Sequence, residues 1–401
     1  MIFSFHSAGS LVFGRDAVLQ IGTIAAERLK AKRVLLVTDK TLLQAGLVAK
    51  VVAPLEAAGI AVTVFDGCVP EPPVEVILAA RAVAEAFKPD VVIGLGGGSN
   101  MDAAKLVVVL LAHGGTPTDW VGDSRVPGPV VPLICVPTTA GTGSEVSAAA
   151  VFTDTANKIK VSTLSQYLRP AFAIVDPLLT VGCPKAVTAD SGIDALTHAI
   201  EAFTAVDHAE FLQRPGGQTV YQGKNPLADM MAKQCISLVG QFIERAVRNG
   251  NDLEARDGMA MAGTLGGLAF SNAGVALIHA MEYPVGGAVH VSHGAGNGLL
   301  LPYVMRYNMT ERSEEIADIG DLLAGGFGNG VGEELAELAI ETVERLREFI
   351  GIPTRLRDIG VTRDMLPGFA EKAFAIKRLM RVNPRMPQSA SEILAIYEAA
   401  Y

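Results

Sequence analysis

The strongest constraint on the fold is an alternation. Between residues 34 and 175, short aliphatic runs recur, each separated from the next by a stretch of helical periodicity or by a glycine-bearing loop. VLLVT (34–38) reads as a buried strand, and residues 40–59 as a helix ending in its glycine stop. Residues 62–65 predict a second strand, residues 74–87 a second helix, and residues 91–95 a third strand that runs into GGGSNMDAAK. Residues 133–136 and 173–175 read as later strands of the same sheet, and Phe3, Phe5, Val12 and Phe13 as short strands at the start. Strands that alternate with helices pair in parallel through right-handed crossovers.

Beyond Pro177 the periodicity is helical. Apolar faces run through residues 192–203, 227–247, 255–269, 275–281, 298–307, 313–323, 333–350 and 391–400, with a glycine-rich break at 325–332. Two prolines and a glycine within residues 176–184 mark the boundary. The expectation is an α/β domain over residues 1–180 with a Rossmann-like parallel sheet, followed by an all-helical domain over 181–401.

Composition removes several function classes. Half of the 401 residues are hydrophobic and the net charge is -9, which disfavours a nucleic-acid partner. The longest apolar runs, such as residues 106–112, fall short of the ~20 residues a bilayer span needs. The opening MIFSFHSAGS has no basic segment or cleavage site of a secretory signal. Four scattered cysteines without a C-x-x-C suit buried thiols in a reducing compartment. A soluble cytoplasmic protein without a membrane partner is expected.

Two loops are suited to phosphate. GLGGGS (94–99) follows an apolar strand and leads into a helix expected to begin near Asn100 or Met101. Its glycines admit a diphosphate close to the backbone, and the helix offers unpaired N–H groups. A tight strand–helix turn is the plainer reading of the same residues. PTTAGTGSE (137–145) follows another strand and is dense in hydroxyls. Asp39, at the end of VLLVTD, can accept from adenine ribose hydroxyls and would repel a 2′-phosphate, favouring NAD over NADP. An ordinary turn or helix cap explains Asp39 equally well.

Residues 188–203, TADSGIDALTHAIEAF, carry the sharpest chemistry. Asp190 or Ser191 can cap the helix. Asp194 and His198 leave it on one face, one turn apart. Such a pair is half of a metal site, or else a surface pair or a core histidine held by an aspartate. Of the seven histidines, His6 and His113 lie in the α/β half and His208 in a polar segment. His279 falls on an apolar helix, while His290 and His293 lie in the glycine-rich VHVSHGAGN. A helix-borne His279 and a loop-borne His290 or His293 can complete a set of three imidazoles and a carboxylate. That set suits Fe²⁺ or Zn²⁺ with one position open to substrate.

These motifs, with IHAME, SHGAGNGLLLP, GIPTRLRDIGV and NPRMP, give the chain a resemblance to the iron-containing (group III) alcohol dehydrogenases over nearly its whole length. The resemblance implies a dehydroquinate synthase-like architecture, an active site in the cleft between the domains, and a homo-oligomer, commonly a dimer. It implies metal ligation by Asp194, His198, His279 and His293, leaving His290 outside. It places Asp39, Gly97, Gly98, Ser99, Asp102, Thr138, Thr139 and Lys160 at NAD-contacting positions. Lys160 would otherwise read as a solvated charge.

The implied activity is reversible hydride transfer between a small primary or secondary alcohol and nicotinamide. The chain departs from the family at Tyr283, where many members carry a histidine. A proton relay by Tyr283 and plain packing beside a proline turn are the two readings there. The segment 207–229, the Tyr-Pro step and Glu71-Pro resemble the hydroxyacid–oxoacid transhydrogenase branch, an alternative with tightly held NAD. Arg214 in that segment is either a partner for a substrate carboxylate or a solvated loop arginine. A dehydroquinate synthase-type lyase, a glycerol dehydrogenase and a non-catalytic binding protein are the remaining rivals; the first two differ in the ligand pattern.

Overall fold

The computed structural model describes residues 2–157, 159–217, 219–329 and 332–401. Two compact units emerge. One comprises His6–Thr139 and Gly143–Gly182, the other Met1–Phe5, Ala140–Thr142 and Cys183–Tyr401.

The first unit is built on a parallel sheet. In chain order it contains β1 (Ser10–Phe13), a short α1 (Ile21–Thr23), β2 (Arg33–Val37), α2 (Lys40–Gln44), α3 (Leu47–Ala57), β3 (Ala61–Phe65), α4 (Val74–Phe87), β4 (Val91–Gly96) and α5 (Gly98–His113). A two-residue β5 (Gly122–Asp123), β6 (Leu133–Pro137), β7 (Ala149–Asp154), β8 (Ile159–Leu164) and β9 (Phe172–Val175) come next. The six-stranded sheet runs β1-β9-β6-β4-β2-β3, with every pairing parallel. Strands buried on both faces read as continuous apolar runs, and β4 is buried at all its positions. Alternate side chains serve opposite cores. Val34 and Leu36 pack with Ile21, Val51 and Leu55, whereas Leu35 and Val37 pack with Ile77, Met101 and Val108.

The strand order reverses between β2 and β4, because β3 lies on one side of β2 and the chain then crosses to the other. Sheets of this kind bind ligands beyond the strand C-termini at such a switch point. Asp39 and the GGGS loop are the residues that leave β2 and β4 there. Beside the main sheet, β7 and β8 form an antiparallel hairpin pairing Thr153 with Lys160, an element the periodicity did not predict.

The second unit is helical: α6 (Lys185–Thr204), α7 (His208–Phe211), α8 (Pro226–Arg248), α9 (Leu253–Ala273), α10 (Leu277–Val289), α11 (His293–Leu323), α12 (Glu333–Ile350), α13 (Leu366–Ala375), α14 (Lys377–Met380) and α15 (Ala390–Ala400). From Gly192 to Thr204, α6 is buried on all sides, packed among α8, α9 and α11. Among the described residues no single helix is long and apolar enough to cross a membrane.

Several expectations need correction. Phe3 and Phe5 form no strand; residues 2–5 run beside the 207–222 segment, held by Ser4–Gln222 hydrogen bonds and by the Ile2 carbonyl at His208 Nε2. The helix expected over 40–59 breaks into α2 and α3 at Gly46, whose φ of 76° an L side chain resists. The helices expected over 298–307 and 313–323 join as α11, kinked at Arg312. The helix expected over 275–281 runs on as α10 to Val289 with Pro284 inside it, so no proline turn forms beside Tyr283. Neither Asp190 nor Ser191 caps α6, which already begins after Pro184. Within the helix, Ser191 donates back to Val187 O at 2.7 Å, and Asp190 accepts from Ser292 Oγ.

Candidate metal centre

Three helices of the second unit bring the expected residues together. Asp194 and His198 project from one face of α6, with Glu201 on the same face one turn further. His279 lies in the first turn of α10. His293 is the first residue of α11, after the cap Ser292, and not on a loop as expected. Ligand atoms of Asp194, His198 and His279 all lie within 4.8 Å of one another, and all three residues are buried.

His293 stands at the edge of this group, its side chain 35% exposed. Its ring centroid is 5.2 Å from that of His279. The amide nitrogen of Asn297 lies between them, 2.9 Å from Asp194 Oδ1 and 3.2 Å from Nε2 of both His279 and His293. One electropositive N–H group therefore meets three converging lone pairs, as a cation would. The Oδ1 atom of Asn297 is buried without a hydrogen-bond partner.

The protonation states suit a cation. Burial alone would raise the Asp194 carboxyl, but the His198, His293 and His279 imidazoles and the Asn297 N–H outweigh it and hold it below its usual range. Burial pushes His198 down to about 4, so it is neutral at pH 7. For Asp194 and His198, an anionic carboxylate and a neutral imidazole are the states metal binding demands. His198 also stacks between Phe270 and His279, at ring-centroid distances of 4.3 and 4.9 Å, and its Nδ1 lies 3.3 Å from Gly141 O.

The expected cofactor residues cluster in the first unit. Gly97 precedes α5, and Gly98 and Ser99 open it, so the helix starts two residues earlier than predicted. Gly96 has a φ of 143°, and a Cβ there would strike Asn100 Nδ2. Thr138 and Thr139 come directly after β6. The buried Thr139 Oγ1 has no hydrogen-bond partner, and a Cβ at Gly97 would lie 3.7 Å from it. Asp39 caps α2 by accepting from Leu42 N at 3.0 Å, and also accepts from Asn100 Nδ2 at 2.7 Å.

Asp102 accepts from Ser144 Oγ at 2.6 Å and from Val151 N at 2.9 Å. Lys105, one turn on and fully buried, donates to Ser144 Oγ and Ser147 Oγ and to the carbonyls of Ser147 and Ala149. Lys160 is not the solvated charge its local sequence suggests: its side chain is 5% exposed and pairs with Glu71 at 2.6 Å.

Two family models match the chain, "Iron-containing alcohol dehydrogenase" over residues 8–177 and "Fe-containing alcohol dehydrogenase family, C-terminal" over residues 218–401. The chain belongs to the iron-containing alcohol dehydrogenase family. It is 40% identical over 378 residues to long-chain-alcohol dehydrogenase 1 of Geobacillus thermodenitrificans, covering 94% of this chain and 91% of the relative. It is 37% identical to 1,3-propanediol dehydrogenase of Klebsiella pneumoniae, covering 97% and 96%. A crystal structure of 1,3-propanediol oxidoreductase superimposes with a TM-score of 0.92 at 36% identity, covering both chains completely. Like its family, the chain is an oxidoreductase acting on alcohols.

Within this family member the other candidates fall elsewhere. His290 is exposed in a left-handed conformation after α10. His113 Nε2 meets Gly128 O, and His208 meets the carbonyls of Gln222 and Ile2. Tyr283 is half-buried on α10, its ring centroid 6.1 Å from that of His293. Arg214 fits neither expectation. It donates to the carbonyls of Arg381, Asn383 and Pro384 and pairs with Glu210, tying the 207–229 segment to the NPRMP strand of chain.

Three residues were missed: Glu201, Glu282 and Asn297. Their signal was helical spacing, since Glu201 follows His198 by three residues, Glu282 follows His279 by three, and Asn297 follows His293 by four.

Proposed function

We propose that this enzyme is a metal-dependent, NAD-linked alcohol dehydrogenase. In this reading Asp194, His198, His279 and His293 hold Fe²⁺, with Zn²⁺ as the alternative ion, and Asp39, Gly97, Gly98, Ser99, Asp102, Thr138, Thr139 and Lys160 line the NAD site. The helical domain, 181–401, carries the metal, and the α/β domain, 1–180, carries the dinucleotide. The observation that carries the reading is the buried convergence of Asp194, His198 and His279 within 4.8 Å. The unpartnered Thr139 hydroxyl beside the glycine loop supports a polar ligand there.

The reaction is RCH₂OH + NAD⁺ → RCHO + NADH + H⁺, or the same step on a secondary alcohol. When bound, the metal held by Asp194, His198, His279 and His293 would supply Lewis acidity, and the dinucleotide a hydride acceptor. The chain's own residues supply geometry and charge. Asp194 contributes a fixed negative charge, and His198 stays neutral because Phe270 and the surrounding helices exclude water from it. The N-terminus of α5, opening at Gly98 and Ser99, suits the pyrophosphate. Tyr283 is the residue to test as a proton relay; a tenfold loss of turnover in Tyr283→Phe would assign it that role.

The relatives' names, which include a long-chain-alcohol and a 1,3-propanediol dehydrogenase, support uncharged alcohols and their aldehydes as substrates. With Arg214 committed to backbone carbonyls, the transhydrogenase alternative loses its candidate for binding a substrate carboxylate. The reading extends to a cytoplasmic homo-oligomer. Four free cysteines support the reducing compartment.

The test is a panel of alcohols and hydroxyacids assayed with and without NAD, alongside elemental analysis. The expected result is NAD-dependent oxidation with one divalent metal per chain, both lost in Asp194→Ala. Hydroxyacid oxidation that needs an oxoacid acceptor and ignores added NAD would overturn it.

A further inference from the structure

Two buried carboxylates lie behind the candidate ligands. Glu201 is 3% exposed and Glu282 fully buried. Glu201 Oε2 lies 2.6 Å from His279 Nδ1, and Glu282 Oε2 lies 2.6 Å from His293 Nδ1. Burying an anion is costly unless it is paired and hydrogen-bonded, so two such burials beside one site call for a reason. A carboxylate only accepts, so each imidazole carries its proton on Nδ1 and keeps the Nε2 lone pair. Both Nε2 atoms point at the Asn297 amide nitrogen, which also donates to Asp194 Oδ1.

The connections form a closed circuit through three helices. Glu201 on α6 holds His279 on α10; Glu282 on α10 holds His293 on α11; Asn297 on α11 holds Asp194 on α6. Each helix presents a ligand and fixes the ligand of the next. Glu201 does more, because it accepts from Ala276 N at 2.8 Å and Ile278 N at 2.6 Å. It thereby caps the N-terminus of α10, which has no side-chain cap of its own, and ties the orientation of His279 to the start of its helix.

Resting on the metal reading above, we propose that Glu201, Glu282 and Asn297 are positioning residues of the metal centre. The two glutamates select the Nδ1–H tautomer and raise the electron density of the ligating nitrogens, while Asn297 fixes the Asp194 carboxylate. Partners of this kind contribute on the order of 10–100-fold in metal affinity.

The experiment titrates metal-free enzyme with Co²⁺ and Zn²⁺ against a competing chelator, in the wild type, Glu201→Gln, Glu282→Gln and Asn297→Ala. Each variant is expected to bind about tenfold or more weakly, and the visible absorption of bound Co²⁺ is expected to shift in position. A residue that only stabilises the fold would lower the melting temperature of the metal-free protein without moving that band. Should Glu201→Gln fail to fold for want of the helix cap, Glu282→Gln carries the test. Metal affinities within twofold of wild type, with an unmoved Co²⁺ band, overturn the proposal. Asp194→Ala separates this from the parent reading: wild-type affinity there overturns the metal site itself.

Discussion

Lys160 Nζ and Glu71 Oε1 lie 2.6 Å apart, joining the β8 strand to the loop before α4. Glu71 is held at a φ of 52°, rare for a residue with a Cβ. Its N–H donates to Ser99 Oγ and its carbonyl accepts from Thr153 Oγ1, both at 3.1 Å. The ion pair therefore places an ammonium group next to a residue bound directly to the glycine-rich loop. If that ammonium meets the dinucleotide, Lys160→Met loses a charge-assisted hydrogen bond of about 1.5–3 kcal/mol. KM for NAD is expected to rise about tenfold or more, with kcat and metal content nearly unchanged. An unchanged KM would leave Lys160 a structural ion pair.

Asp39 has both oxygens engaged, one capping α2 and one on Asn100. Its charge nonetheless stands at the switch point, where a 2′-phosphate would be repelled. Asp39→Gly is expected to lower the preference for NAD over NADP in kcat/KM by about tenfold or more. Losing the cap is expected to cost about 1 kcal/mol in denaturant unfolding. A preference that stays fixed while stability falls would assign Asp39 to capping alone.

How much was legible in the chain depended on whether the signal was local. β2, β3, β4 and α4 were readable because continuous apolar runs and helical periodicity dictate them within a few residues. The Asp194/His198 pair was readable as a pair, but its meeting with His279 is tertiary. The start of α6 was misplaced because Asp190 and Ser191 are good caps in isolation, whereas the helix begins earlier, at Lys185 after Pro184, and tertiary packing buries its later turns. His293 looked loop-borne because its flanking glycines mask the cap at Ser292. The partners of Lys160 and Arg214 were hidden for one reason: a lone charge in a polar segment reveals nothing about a neighbour such as Glu71 or the carbonyl of Asn383.

Arg214, readable in the sequence either as a partner for a substrate carboxylate or as a solvated loop arginine, is held by backbone carbonyls instead. With Arg214 donating to three backbone carbonyls, Arg214→Ala leaves buried acceptors unpaired and is expected to cost about 2 kcal/mol or more of stability. Activity toward acidic and neutral alcohols should fall in the same proportion. A selective loss on hydroxyacids would restore the carboxylate-binding reading.

One contribution to acid sensitivity is expected between α11 and α12, where Arg306 pairs with both Glu337 and Glu344. Arg306 grips Glu344 with two nitrogens, at 2.7 and 3.2 Å. The Arg306 guanidinium holds the Glu344 carboxyl below the usual glutamate range. A carboxyl lowered on folding contributes stability above its unfolded pKa, about 4.3, and loses it as pH falls through the folded value. Glu344→Gln is therefore expected to be less stable than wild type at pH 7, by up to about 1 kcal/mol for a pair whose side chains are 35% and 29% exposed. The difference should shrink as pH falls below that unfolded value and vanish once pH has passed the lower folded one. A difference that persists there would point to packing instead of charge.

The close approach of α11 to α6 gives the sharpest packing test. A Cβ on Gly294 would come to 2.0 Å from Asp190 O and 3.1 Å from Asp194 Cβ. Gly294 follows His293 directly, so only a bare backbone lets that histidine reach the Asp194 side of the site. Gly294→Ala must push the helices apart, at a cost of about 1–3 kcal/mol from overpacking. Displacing His293 from Asp194 should also weaken metal binding. Gly287, on α10, provides the control, since a Cβ there meets nothing within 4 Å. Gly287→Ala is expected to be neutral or to stabilise by about 0.5–1 kcal/mol, as an added methyl does in a helix interior. Thermal melts and metal titrations of the two variants should therefore diverge. If Gly294→Ala melts and binds metal like Gly287→Ala, the two helices are not in the contact that forms this site.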